Sequence, residues 1–448
     1  MLKKNMEIEL DIEAFTSEGS GVAHYDGMAV FVNGSAAGDR VKAHIIKVKK
    51  SYAIAKCVKI IKPSADRITS DCPVFESCGG CAFRHISYEA EAKMKREKVE
   101  NAFKRIGGIE KKLDGFVGAD SLCRYRNKAE YPLSFDRRLN IGFYALHTHR
   151  IVNCEDCVLS PQVFSDIVAI IRKWVIEYGV SVYDSESGKG LLRHIFLRQA
   201  QKSGDVMLCL VINGDRLPKQ DKLLERLLTV PQIKSVVLNK NRAKTNVILS
   251  DECETVRGDD FIYDELCGIT VRLSALSFYQ VNHDMAEKLY TLAREYAQPS
   301  KDKTLLDMYC GAGTIGLSMA RDFGKVIGVE IVAPAVENAK ENARLNGIDN
   351  ASFYNLDAAE AARLIKENGE RADVIVLDPP RKGCSAELVN TVCEMSPERV
   401  VYVSCDPATL ARDCKLFSEK GYNLEKLTAV DLFPRTVHVE SVCLLTKN

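Results

Sequence analysis

Hydrophobic and polar positions change period twice along this chain, and the changes divide it. Over residues 6–62 apolar and polar residues alternate in short runs, Glu7–Phe15, Gly27–Val32, Arg40–Val48 and Ala53–Ile61. Glycines at 19, 21, 27, 34 and 38 punctuate them. Short strands at regular spacing with glycine turns predict a small antiparallel barrel. A helix is expected over Ser87–Arg105 and another near Gln162–Tyr178. Between residues 113 and 260, apolar segments such as Leu192–Gln199, Val206–Asn213 and Ser235–Asn239 predict a mixed α/β region. From about residue 285 strands and helices alternate: strands Lys303–Tyr309 and Lys325–Val329, helix Ala333–Asn346, then strands Val374–Leu377, Val400–Ser404 and Val439–Thr446. Alternation of that kind predicts a doubly wound sheet.

A chain of 448 residues needs two or three domains, and its 46% hydrophobic and 27% charged content is that of a globular protein. No apolar stretch is long enough to span a bilayer, and the first residues, Met1-Leu-Lys-Lys-Asn, lack the apolar core of a signal peptide. A cytoplasmic location is therefore expected, where the 16 cysteines stay reduced and point to metal binding or catalysis instead of a disulfide framework. The net charge of +1 hides asymmetry: Arg40 to Lys62 holds eight Lys or Arg and no acid. An unrelieved basic run is the footprint expected for a phosphate backbone. A second run, Lys93 to Lys112, is diluted by Glu97, Glu100 and Glu110 and reads as a solvated face.

Candidate chemistry clusters in two places. Cys72, Cys78 and Cys81 fall within ten residues of a glycine-rich stretch, which suggests a soft metal held by thiolates. Cys154 or Cys157, in Asn153-Cys-Glu-Asp-Cys, are the nearest paired candidates for a fourth ligand, with Cys123 weaker. Zinc on two C-x2-C pairs is the rival to an iron–sulfur cluster, but it would leave Cys72 unused. The second place is the strand ends of the C-terminal region. Gly311-Ala-Gly313-Thr-Ile-Gly316 opens a helix after a strand, and Glu330 ends the next strand about 20 residues on, a spacing that suits a nucleotide cofactor. Val400-Val-Tyr-Val-Ser-Cys-Asp-Pro407 puts Cys405 at the carboxyl end of a buried strand, where open α/β sheets bind ligands.

Further patches are Phe278-Tyr-Gln280-Val-Asn282, Asp378-Pro-Pro-Arg381 and His438-Val-Glu440. Together with Cys405 and the Cys72 cluster they resemble the RNA uracil-5-methyltransferase family, in its iron–sulfur, ribosomal-RNA branch. The run Gly19-Ser-Gly21 to Gly38-Asp-Arg40-Val is similar to a TRAM domain, an OB-like RNA-binding module. The resemblance covers essentially the whole chain. It implies a TRAM barrel over 1–62, a central mixed α/β iron–sulfur domain over 63–265 and a Rossmann-like methyltransferase domain over 266–448. It implies S-adenosylmethionine bound by Gln280, Tyr309, Glu330 and Asp378, Cys405 as nucleophile and Glu440 as base. It also implies a 4Fe-4S cluster on Cys72, Cys78, Cys81 and Cys157. Cys154 beside the expected fourth ligand, and Asp406 where the family often has Asn, are departures.

The residue types fit that chemistry. Carbon 5 of uracil is too poor a nucleophile to take a methyl from a sulfonium, and a thiolate adding to carbon 6 makes it an enolate carbon. A positioned carboxylate must then remove the carbon-5 proton. The base must be flipped from its stack, with Phe278 a candidate stacking partner or a core aromatic. The expected partner is 23S ribosomal RNA, with no membrane and a monomeric chain. The transfer-RNA branch is the alternative, disfavoured because it resembles this chain without the cysteine cluster or N-terminal module. A non-catalytic iron–sulfur RNA-binding factor would lack Cys405 or Glu440, and a nicotinamide dehydrogenase gives no reason for Asp378-Pro-Pro-Arg381.

Overall fold

The computed structural model describes residues 2–447 and divides into two compact units. The first comprises Met1–Lys98 with the short segments Ala145–Thr148 and Phe433–His438. The second comprises Val99–Tyr144, His149–Leu432 and Val439–Asn448.

In the first unit six strands form one sheet, in the order Glu7–Asp11, Arg40–Val48, Tyr52–Lys62, Met28–Asn33, Gly21–Tyr25, Ala14–Phe15. Alternate residues supply its core, among them Leu10, Val30, Val32, Val41, Ala43, Ala53 and Ala55. The predicted strand Glu7–Phe15 is broken at Ile12, where the chain changes partner. Ile12 bonds to Asp39 and Gly38, while Glu13 donates to Val22. Gly21, expected in a turn, opens the strand Gly21–Tyr25, and the position needs glycine because a Cβ there would stand 2.2 Å from Ser35 Oγ.

The second basic run is largely the solvated face it resembles, with Lys93, Arg96, Lys104, Arg105 and Lys112 exposed, but one member is not. Lys95 is fully buried, donating to Glu91 at 2.7 Å and to the Phe433 carbonyl at 3.1 Å. Arg435 N–H and guanidinium complete the bonds around Glu91. The first run is partly relieved in space: Arg40 pairs with Glu9 at 3.0 Å and Lys42 with Glu7 at 2.7 Å. Lys47, Lys49, Lys50, Lys56, Lys59 and Lys62 remain exposed.

The second unit holds two large sheets and a two-stranded hairpin, Phe261–Leu266 paired with Ile269–Ser274. A seven-stranded, mostly antiparallel sheet runs from Ile151–Asn153 to Cys253–Gly258, with Leu192–Gln199 and the wholly buried Val206–Ile212 at its centre. Helix Gln162–Glu177 buries Phe164, Ile167, Ile171 and Trp174 against it.

The other sheet carries strands β1 (Thr304–Met308), β2 (Lys325–Glu330), β3 (Ala351–Asn355), β4 (Val374–Leu377), β5 (Arg399–Ser404), β6 (Tyr422–Val430) and β7 (Glu440–Lys447). Their order is β3-β2-β1-β4-β5-β7-β6, followed by Gly115–Val117 at the edge. The first five run parallel, and β7 is inserted antiparallel between β5 and β6. Helices α1 (His283–Ala297), α2 (Thr314–Ala320), α3 (Ala333–Leu345), α4 (Ala358–Glu367), α5 (Ala386–Met395) and α6 (Pro407–Glu419) connect or flank them. The order reverses between β1 and β4, so the crevice for a ligand lies at their carboxyl ends. Among the described residues no helix is long and apolar enough to cross a membrane.

Candidate active site

The glycine turn, Glu330, Asp378-Pro-Pro-Arg381 and Cys405 lie at the carboxyl ends of β1, β2, β4 and β5, Glu440 opens the antiparallel β7, and Phe278–Asn282 precedes α1. After β1, Tyr309 adopts a left-handed backbone (φ 63°) and Gly311 and Gly313 follow with φ 56° and 79°. A Cβ on Gly313 would press on Ala339, Leu317 and Phe353 at 3.1–3.2 Å, so the turn needs glycine for space as well as conformation. The Glu330 carboxylate accepts from Gly311 N–H at 3.1 Å and Val332 N–H at 2.8 Å, which ties the end of β2 to the glycine turn. Beneath them Asp307 accepts from Gly316 N–H at 2.8 Å, and burial pushes its carboxyl up to about 7.

Gln280 is held by a scaffold that motif reading missed. Asn127 Nδ2 donates to its carbonyl at 2.9 Å, and the buried Arg198 guanidinium donates to the carbonyls of Ser274 and Ser277 at 2.7 and 2.6 Å. Tyr279 donates to Asp264 at 3.0 Å, and Asn282 caps α1. The signal was Arg198, one of two arginines, with Arg193, in the buried strand Leu-Arg-His-Ile-Phe-Leu-Arg-Gln. Phe278, between these anchors, is 72% exposed, so the core-aromatic alternative falls away.

Cys405 and Glu440 meet through strand pairing. Ser404 ends β5 opposite Ser441, so the nucleophile candidate follows the last residue of one strand and the base candidate opens its antiparallel neighbour. Glu440 is only 5% exposed on an interior strand, not a surface acid on an edge. Burial, with Asp378 adding, pushes its carboxyl up to about 8, and Arg381 opposes the rise. Burial, Glu440 and Asp378 together push the Cys405 thiol up to about 11, again against Arg381. Asp378 keeps some exposure, yet burial raises it to about 7. Asp406, beside the thiol, accepts from Ala408 and Thr409 N–H and caps α6. A thiol and a carboxyl that resist ionising together, with a guanidinium favouring either anion, suit paired nucleophilic and proton-transfer work.

The cysteine cluster is less complete. Cys72, Cys78 and Cys81 lie half-buried in one loop of the first unit, where Gly80 N–H donates to Cys78 Sγ at 3.4 Å. Cys157 lies half-buried in the second unit and Cys154 is buried there. Among the described residues no three His, Cys, Asp or Glu side chains gather closely enough to hold a metal ion.

Fold and site together define a class: an α/β enzyme with a nucleotide-type cofactor crevice and a thiol–carboxyl pair beside it. Residues 236–448 match the tRNA (Uracil-5-)-methyltransferase family and residues 2–58 the TRAM domain. An RNA methyltransferase of Clostridium tetani is 40% identical over 99% of this chain and 97% of its own length. One from Halalkalibacterium halodurans is 41% identical over 99% and 98%. The crystal structure of Pyrococcus abyssi tRNA (uracil-54, C5)-methyltransferase, in complex with S-adenosyl-L-homocysteine, superposes with a TM-score of 0.80 at 27% identity. It covers 98% of this chain and 100% of its own. The chain belongs to the RNA uracil-5-methyltransferase family, with a TRAM domain at its N-terminus.

Proposed function

We propose that this protein transfers a methyl group from S-adenosylmethionine to carbon 5 of a specific uridine in 23S ribosomal RNA, through a covalent bond between Cys405 and carbon 6. The observation that carries the reading is the Ser404–Ser441 pairing, which sets Cys405 beside Glu440 with Arg381 acting on both. Gln280, Tyr309, Glu330 and Asp378 are the side chains proposed to hold the cofactor, which supplies an electrophilic methyl on a sulfonium. The tethered Glu330 carboxylate suits ribose hydroxyls. Cys405, as thiolate, adds to carbon 6, and the electron pair moves to carbon 5, which takes the methyl. Glu440 then removes the carbon-5 proton, and the carbon–sulfur bond breaks with return of the thiolate. A carboxyl raised toward neutrality holds that proton far better than an ordinary carboxylate does. Phe278 is proposed to stack on the flipped base or its neighbour, and the exposed lysines of the TRAM domain to meet the phosphate backbone.

Cys72, Cys78, Cys81 and Cys157 are proposed as ligands of a 4Fe-4S cluster on the strength of the family resemblance; spacing alone leaves the fourth ligand open between Cys154 and Cys157. No chemical step depends on the cluster. A transfer-RNA substrate is the second reading. The archaeal tRNA enzyme aligns over 98% of this chain, so the N-terminal module cannot by itself argue against tRNA. Mass-spectrometric mapping of 5-methyluridine in ribosomal and transfer RNA, from cells with and without the protein, decides between them. Loss from 23S RNA is expected; loss from tRNA alone would overturn the ribosomal assignment.

A further inference from the structure

The loop after β4 is anchored by a buried carboxylate that the catalytic reading leaves unused. Asp413, on α6, has no exposed side-chain surface. Its Oδ2 accepts from the Tyr402 hydroxyl at 2.6 Å and from Cys384 N–H at 2.8 Å. Its Oδ1 accepts from Arg412 Nε at 2.8 Å, and the same guanidinium donates to the carbonyls of Lys382 at 2.9 Å and Cys384 at 3.3 Å. Gly383 makes the approach possible: its φ is 74°, and a Cβ there would stand 2.5 Å from Asp413 Oδ2 and 2.6 Å from Arg412 Nη2. The Tyr309 hydroxyl also meets the Cys384 thiol. A buried charge with each oxygen satisfied fixes its partners in place, because releasing any of them leaves an uncompensated polar group.

What the anchored loop carries is Arg381, immediately before the clamped residues. Asp413 holds that loop from both flanks of the nucleophile, through Tyr402 three residues before Cys405 and through its own helix, which starts just after it. We propose that Asp413, with Arg412 and Tyr402, is a positioning device that fixes the backbone of the loop carrying Arg381 beside Cys405, where the end of β4 pairs with β5 through Leu377 and Tyr402. The proposal rests on Cys405 being the nucleophile. Arg381 is itself exposed, and an exposed cation free to swing into water would interact with the thiol several-fold more weakly than one held at the protein surface. Besides Arg381, the charged groups that bear on Cys405 are Glu440 from β7 and Asp378 from the same loop.

The test is the pH dependence of Cys405 alkylation by iodoacetamide, followed on the Cys405 peptide by mass spectrometry in the full-length protein. Arg381→Gln should raise the pH midpoint of alkylation and slow the reaction at pH 8 by about threefold or more, as a rise of half a pH unit requires. Asp413→Asn should do the same, and the double variant should be no slower than Arg381→Gln alone. Should Asp413→Asn not fold, Arg412→Gln on a half-exposed side chain carries the same comparison. A lower melting temperature with an unmoved midpoint would make Asp413 a structural staple only. Multiplying effects in the double variant would also overturn the proposal. Failure of the nucleophile assignment reads differently, as methyl transfer surviving in Cys405→Ala, because alkylation midpoints need no turnover.

Discussion

Replacing Glu440 by glutamine tests two consequences of one buried carboxyl. Burial and Asp378 raise that carboxyl from 4.5 to about 8. The native protein thus keeps its proton to higher pH than the unfolded chain does, and this group makes stability fall as pH rises from about 4.5 through 8. At about 1.4 kcal/mol per pH unit the cost is nil below pH 4.5, about 3 kcal/mol at pH 7 and at most about 5 kcal/mol above pH 8. Glutamine keeps the shape and never ionises. In matched thermal unfolding, Glu440→Gln should therefore gain on the parent as pH rises from 5 to 9. The same variant should stall catalysis one step late. A protein–RNA adduct carrying the labelled methyl should survive denaturing electrophoresis and vanish when Cys405→Ala is added. A stability difference independent of pH would refute the buried ionising carboxyl. Normal turnover would refute its role as base, and inactivity without an adduct would move Glu440 to a step before sulfur attack.

Cys405→Ala should abolish methyl transfer while leaving cofactor affinity intact, measured by calorimetry. In the parent enzyme the rate of adduct breakdown should climb with pH toward about 8, as Glu440 ionises, and a flat profile from pH 6 to 9 would exclude it as the limiting base. Deleting residues 1–62 should weaken RNA binding and flatten the slope of log affinity against log salt; an unchanged slope would remove the TRAM lysines from the interface. Anaerobically purified protein should be brown with about four irons, and stoichiometric zinc without iron would overturn the cluster.

Five of the seven numbered strands of the C-terminal sheet were legible because they are continuous apolar runs bounded by turn residues; Ala351–Asn355 and Tyr422–Val430, with polar residues along them, were missed. Val374–Leu377 was read to the residue, and Arg399–Ser404 and Lys325–Glu330 to within one. The placement of candidate residues was legible where a strand end carries an unusual residue, as at Cys405 after β5 and Glu330 at the end of β2. Less was visible where an outcome depends on distant partners. Gly21 reads as a turn until Ser35 is seen beside it, and Lys95 reads as surface until Glu91 and the Phe433 carbonyl enclose it. Asp413 draws on three separate stretches around residues 383, 402 and 412, none of them marked by the period of its own element.

The antiparallel entry of β7 beside β5 has a consequence for how this active site can vary. Cys405 and Glu440 are far apart along the chain, yet their proximity is set by one strand register, Ser404 against Ser441. The length of what lies between them, α6 and β6 with their loops, is chemically idle. Residues can be added at the turn between α6 and β6 while thiol and carboxyl keep their places, whereas the loop before β7 is tied down by Phe433 and Arg435. A single residue inserted within β7 would instead invert the pleat and turn Glu440 to the other face. Parity along one strand, and not distance along the chain, is what the chemistry must inherit.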